Sequence, residues 1–253
     1  MVAISASFWL LSTDRPADGA IVEYTDGHAD IGLALEGGNE LFLHYHFGVG
    51  AVLDGVSINP DEEFEPEDAY VRVADSTKST IPNLPQFSFL GTAGGDVWVL
   101  PQSQRSGVPF LGLAAEELNA AVFSSAMLSF SSFSGPGDFS LWSSDSFGNP
   151  VLRLDTSNGS INLSFDEVSI GIGSHDHYNW GFTAAGIYNI GFEASAVHST
   201  LGTLTDSGVF TFAVGNATAV PEPGSLLLLG AGAMGLFGGI RRRFRRPCGS
   251  QKA

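Results

Sequence analysis

Cysteine occurs once in the 253 residues, at Cys248. That excludes a disulfide framework and any thiolate metal site, so a bound metal would have to be held by histidine and carboxylate. Lysine occurs twice, and residues 1–220 carry five basic side chains (Arg15, Arg72, Lys78, Arg105, Arg153) against 26 acidic ones, a net of −21. Such a surface repels nucleic-acid phosphates, so no nucleic-acid partner is expected, and it attracts cations, divalent metals included. The sequence has no glycine-rich phosphate loop and no Gly-x-Ser-x-Gly elbow. Neither nucleotide-phosphate chemistry nor serine hydrolysis is therefore supported.

What is present points to a folded, turn-rich body. Hydrophobic residues make up 43% and charged residues 15%, with 32 glycines, enough apolar surface to fold rather than stay disordered. Turn formers recur roughly every eight to twelve residues, and the segments between them are rich in Val, Ile, Phe, Leu and Thr. Strands are expected at 21–24, 29–35, 41–47, 69–73, 96–100, 127–133, 139–143, 151–154, 160–165, 178–183, 186–194 and 208–214. The fold class is all-β, a β-sandwich of Ig-like or Greek-key type. Asn158-Gly159 suits a type I′ hairpin turn, 114–119 reads as one helical turn, and the acidic run DEEFEPED at 61–68, beside Pro60 and Pro66, reads as a solvated loop. Its carboxylates lack the alternation of an EF-hand. Trp98 and Trp180 read as core anchors, and Gly135-Pro136-Gly137 as a turn.

The two ends differ from this body. Val2–Ser12 is apolar over the length of a signal h-region but lacks a basic n-region and an Ala-x-Ala site. Residues 1–19 therefore stand open between a residual or truncated signal peptide and a first strand. At the other end Pro221, Glu222 and Pro223 precede an apolar run, 226–240, and then Arg241, Arg242, Arg243, Arg245 and Arg246. As a helix that run spans about 22 Å, short against a bilayer core of about 30 Å, and the arginines would halt translocation on the cytoplasmic side. This three-part ending resembles the PEP-CTERM sorting signal. The resemblance implies a membrane helix over 225–240, an Arg cluster at 241–246, a tail at 247–253, and processing by an exosortase near the Pro-Glu-Pro motif. It further implies an exported protein of the cell envelope, surface or extracellular matrix, transiently anchored in the inner membrane, in a bacterium that makes extracellular polysaccharide.

Six histidines fall into few motifs: His28 in GHAD, His44 and His46 in His-Tyr-His, His175 and His177 in His-Asp-His, and His198 after the expected strand 186–194. In a strand, residues i and i+2 share a face at about 6.5–7 Å, close enough for two imidazoles to converge on one ion at about 2.0–2.1 Å each. Over 41–47, Leu41, Leu43, Tyr45 and Phe47 alternate with Phe42, His44 and His46, so the two histidines leave the apolar face together. His175 and His177 lie just before an expected strand, where a rim site would form. Metal ligands are therefore expected at His28, Asp30, His44, His46, His175 and His177, with Asp176 and His198 as further candidates; zinc is the expected cofactor, other divalent metals being open. Gly38, His44 and His46 match the opening of the cupin motif, but the required glutamate is missing where Gly50 and Ala51 stand, so cupin chemistry is rejected.

Several segments together, GHADIG (27–32), VWVLPQ (97–102), GPGDF (135–139) and HDHYNWGF (175–182), running on into TAAGIY (183–188) and FEAS (192–195), resemble the choice-of-anchor M surface domain. With its ending, the chain resembles the PEP-CTERM proteins repressed by the zinc uptake regulator. This sets the body at 20–216 and the signal at 220–246. It implies zinc acquisition or buffering under zinc limitation and a metal ABC-transport system as partner, and it carries over His28, Asp30, His175 and His177. An alternative is a matrix or adhesion sandwich that binds extracellular polysaccharide through exposed aromatics such as Trp142 or Tyr178. No enzymatic activity is expected: a catalytic zinc site needs an open position and a base, and nothing in the sequence places Glu23, Asp30 or Asp176 as that base.

Overall fold

The computed structural model describes residues 21–159 and 166–219. Among these the strands are β1 (Val22–Glu36), β2 (Glu40–Phe47), β3 (Val52–Leu53), β4 (Val56–Ser57), β5 (Glu62–Phe64) and β6 (Ala69–Val73). They continue as β7 (Lys78–Thr80), β8 (Asp96–Leu100), β9 (Pro109–Ala114), β10 (Phe123–Ser134), β11 (Phe139–Ser144) and β12 (Pro150–Asp155). The last are β13 (Glu167–Ile170), β14 (His175–His177), β15 (Asn179–Phe182), β16 (Gly186–His198) and β17 (Gly202–Val214). The all-β expectation holds. The expected segments 1–19, 160–165, 220–246 and 247–253, with the membrane helix at 225–240, lie outside the described residues. No helix among the described residues is long and apolar enough to cross a membrane.

Two sheets share one core. The larger runs β13-β10-β16-β17-β6-β1-β2-β5, with β3, β4, β9 and β14 joined alongside, and the smaller runs β12-β11-β15-β8-β7. Between them lie Trp180, Phe182, Phe139 and Leu100 from the smaller sheet and Phe130, Phe192, Phe210, Phe212 and Tyr45 from the larger. Alternation aims these side chains inward and leaves the intervening positions outside. Trp98 and Trp180 are buried, as expected of anchors. A second apolar cluster, Ile81, Leu90, Val97 and Trp142, is covered by the 3-10 helix Pro85–Leu90 on the other face of the smaller sheet. Pairing departs from an Ig-like antiparallel pattern: β1 pairs β6 and β9 in parallel, and β17 pairs β6 in parallel.

β1 serves two parts of the large sheet. Its start pairs β6 and β3, and its later residues pair β9 and β2. The change of partner falls at Gly27, at φ +90°. There the Asp26 carboxylate accepts from the amides of Gly27 and Gly107 at 2.8 and 2.9 Å. The buried Tyr24 hydroxyl donates to the Gly27 carbonyl at 2.6 Å and accepts from the Phe110 amide at 3.1 Å. These bonds align the residues after Gly27 with β9.

Three local expectations are corrected. Residues 114–119 are not helical: β9 runs to Ala114, and one turn follows in which Leu118 N–H bonds the Ala115 carbonyl at 3.2 Å. The acidic run at 61–68 is partly a strand, because β5 pairs the edge of β2. Asn158 does not take the positive φ that a type I′ turn requires; among the described residues Asp54 is the non-glycine that does.

Candidate metal centre

The registers of five strands set the site. One row across β5-β2-β1-β9-β14 is Glu63, His46, Asp30, Gly112, His177. The next, across β2-β1-β9-β14, is His44, Gly32, Ala114, His175. His28 lies two residues before Asp30, opposite Phe110. By alternation all occupy one face, while Ile31, Leu33, Leu43, Tyr45, Leu111 and Leu113 fill the core behind them. Small residues in the middle make a trough with imidazoles on both sides. The absence of a side chain at Gly112 is needed: a Cβ there would meet Asp30 Oδ1 at 2.1 Å and His177 Cε1 at 3.1 Å.

The turn after β9 adds two carboxylates. Ala115 and Leu118 are buried beneath it, and the Ala115 amide bonds the Ser174 carbonyl at 2.9 Å, tying the turn to the start of β14. Glu116 Oε1 lies 2.6 Å from His175 Nδ1. Glu117 Oε1 lies 3.2 Å from His44 Nε2 and 3.1 Å from His46 Nδ1. No motif in the sequence marks Glu116 or Glu117, and Glu63 belongs to the acidic run 61–68, expected to be a solvated loop.

Potential ligand atoms lie within 4.8 Å of one another in three sets, the first two sharing His175: His28, His175 and His177; Asp30, Glu116 and His175; and His44, His46, Glu63 and Glu117. The His-x-His pairs thus belong to two adjoining clusters. In the first, the imidazoles of His28, His175 and His177 stand 5.0–5.3 Å apart between ring centres. His177 stacks on Phe110 at 3.5 Å, and His28 Nε2 is 3.4 Å from Asp30 Oδ2. Four buried side-chain atoms lack a hydrogen-bond partner among the described residues, and three belong here: Asp30 Oδ1 and both ring nitrogens of His177. Buried polar atoms are seldom left so.

The electrostatics follow from this packing. Burial, then the neighbouring His28 and His175, push the His177 pKa down to about 4; the Leu111 carbonyl, outside bonding geometry, offsets this slightly. Burial and His175 lower His28 as well. Burial raises Asp30 to about 6 against the pull of His175. For His175 burial acts downward, but the hydrogen bond to Glu116 and the charges of Asp30, Glu116 and Asp176 prevail and raise it. Hydrogen bonds from His44 and His46 hold Glu117 down at about 2, and the bond to Glu117 raises His46.

Other candidates fall elsewhere. Asp176 is exposed and alternates to the opposite side of β14 from His175 and His177. His198, at the end of β16, accepts at Nδ1 from the amides of Thr200 and Leu201 at 3.2 and 3.1 Å and packs on Phe123, so it caps a turn outside both clusters. Glu23 receives Arg72 Nε at 2.6 Å. Trp142 and Tyr178 are 5% exposed each and offer no platform to a sugar. The His175–His177 segment is a strand paired with β9, not a rim turn.

Comparison with known proteins bears on the residues after this body. The PEP-CTERM protein-sorting motif matches residues 219–243. No curated protein and no solved structure matches the chain. The chain carries the signal by which an exosortase sorts its substrates, and it is an exported protein of the cell surface or envelope.

Proposed function

We propose that the exported body binds a divalent transition metal, zinc foremost, through His28, His175 and His177 with Asp30 as a fourth donor. The observation that carries this reading is the set of buried donor atoms left without a hydrogen-bond partner among the described residues, Asp30 Oδ1 and the His177 ring nitrogens, on the same face as two further imidazoles. Three imidazoles and a carboxylate suit zinc. The His175 Nδ1–Glu116 contact and the packing of His177 on Phe110 are the kind of outer support that holds ligating imidazoles in place.

The likeness to the choice-of-anchor M domain and to proteins repressed by the zinc uptake regulator favours zinc acquisition or buffering at the cell surface, with a metal ABC-transport system as the receiver. We read the protein as a binder and not an enzyme, since Glu23 is committed to Arg72 and Asp30 serves best as a ligand.

Equilibrium dialysis of the metal-free chain against zinc at neutral pH tests the reading. The wild type is expected to retain zinc and a His175→Ala/His177→Ala variant to lose the tighter event. Retention below about half an equivalent, or an unchanged tight event in the variant, overturns it.

A further inference from the structure

We propose that a second divalent-metal site, built by His44, His46, Glu63 and Glu117, lies beside the first; it rests on reading this face as metal-binding. Its donors come from β2, from the edge strand β5 and from the turn after β9, and all lie within 4.8 Å of one another. Two ligands of a tetrahedral zinc ion, each about 2.0–2.1 Å from the metal, stand about 3.3 Å apart. Glu117 Oε1 is already 3.2 Å from His44 Nε2 and 3.1 Å from His46 Nδ1.

The orientation of His44 supplies a second geometric observation. The His44 side chain is 0% exposed. Its Nδ1 faces the Phe42 carbonyl at 3.3 Å while its Nε2 faces the Glu117 carboxylate. A neutral imidazole has one N–H and cannot donate to both. With Nδ1 turned to the carbonyl, Nε2 is the nitrogen presented to the Glu117 side of the cluster, where a cation would sit. An N–H on a backbone carbonyl with the other nitrogen on the metal is the usual arrangement of a ligating histidine. His46 differs in detail: its Nδ1 faces Glu117 at 3.1 Å and its Nε2 lies 3.6 Å from Asp61 Oδ2. Gly32 leaves the room: a Cβ there would stand 3.1 Å from His44 Nε2. Glu116 and Glu117, adjacent in sequence, thereby serve one site each. The second site fills after the first, because its donors already engage one another and the first ion adds positive charge one strand away.

Zinc titration of the full metal-free chain by calorimetry, with dialysis for stoichiometry, tests this. Two equivalents are expected in the wild type. The Glu63→Gln/Glu117→Gln variant should keep only the tighter event, and the His175→Ala/His177→Ala variant only the weaker. Glu63→Gln alone, on an edge strand, should weaken the second event by at least the roughly tenfold that loss of even an outer partner causes. One equivalent in the wild type, indifferent to both glutamate variants, overturns the second site and leaves the first. One equivalent lost only with the glutamates keeps the second site and overturns the first. No zinc retained overturns both.

Discussion

At the scale of single residues the site depends on what Gly112 lacks and on the hydrogen-bond partners that Asp30 Oδ1 and His177 do not find among the described residues. Gly112 has ordinary backbone angles, so Gly112→Ala adds a steric demand alone, 2.1 Å from Asp30 Oδ1. Asp30 must turn away, and zinc affinity should fall roughly tenfold or more with an unchanged circular dichroism spectrum; an unaltered affinity would remove Asp30 from the ligand set. Protons compete for the same donors. His28 and His177, both shifted downward, are ready at neutral pH, whereas His175 is raised and Asp30 stands at about 6. Affinity should therefore rise with pH between 5 and 7, and binding near pH 6 should release protons, seen as a dependence of calorimetric heat on buffer ionisation enthalpy.

His177 also links pH to stability in the metal-free protein. Its folded pKa of about 4 lies below the unfolded value of 6.5. Its contribution is thus complete above pH 6.5 and lost as pH falls toward 4. His177→Phe keeps the stack on Phe110 without the titration. Its melting temperature relative to wild type should climb steadily from pH 6.5 to 4, and a constant difference would show that His177 does not titrate in this window.

At the scale of elements, β1 is the strand on which the site hangs. At Gly27 the pairing of β1 switches, so that its first residues join β6 while the later ones carry His28 and Asp30 alongside β9 and β2. A Cβ at Gly27 would stand 2.7 Å from Ala51 Cα, which is backbone and cannot swing aside, and φ there is +90°. Gly27→Ala should cost about 1–3 kcal/mol in denaturant unfolding. β14 is three residues long and is placed by β9, whose following turn supplies Glu116 and Glu117. The His-Tyr-His alternation on β2 was readable locally, because period-two geometry needs no partner strand. The roles of Glu63, Glu116 and Glu117 were not, because each depends on a register between segments far apart in sequence.

At the scale of the molecule, charge divides between the acidic body and the sorting signal. Residues 1–220 stand at a net of −21 where the whole chain stands at −16, because the arginine cluster lies in the sorting segment. Replacement of Pro221, Glu222 and Pro223 by alanine should block exosortase processing and leave a heavier, less acidic, membrane-fractionating species by mass spectrometry and isoelectric focusing. Equal processing of the variant would show that the motif is not what the exosortase reads.

The sequence alone determined the all-β class, the sorting signal and the histidine spacings, since composition, turn chemistry and a linear motif are properties of neighbouring residues. Tertiary structure alone decided that His28 joins His175 and His177 across β9, that His44 and His46 instead turn to Glu117 and Glu63, and that His198 stands apart. It also buried Trp142 and Tyr178, the two aromatics named for sugar stacking. The reason is the strand register: parallel pairing of β1 with β9 and antiparallel pairing of β9 with β14 bring residues 28 and 177 onto one face, and nothing local in either segment encodes that alignment.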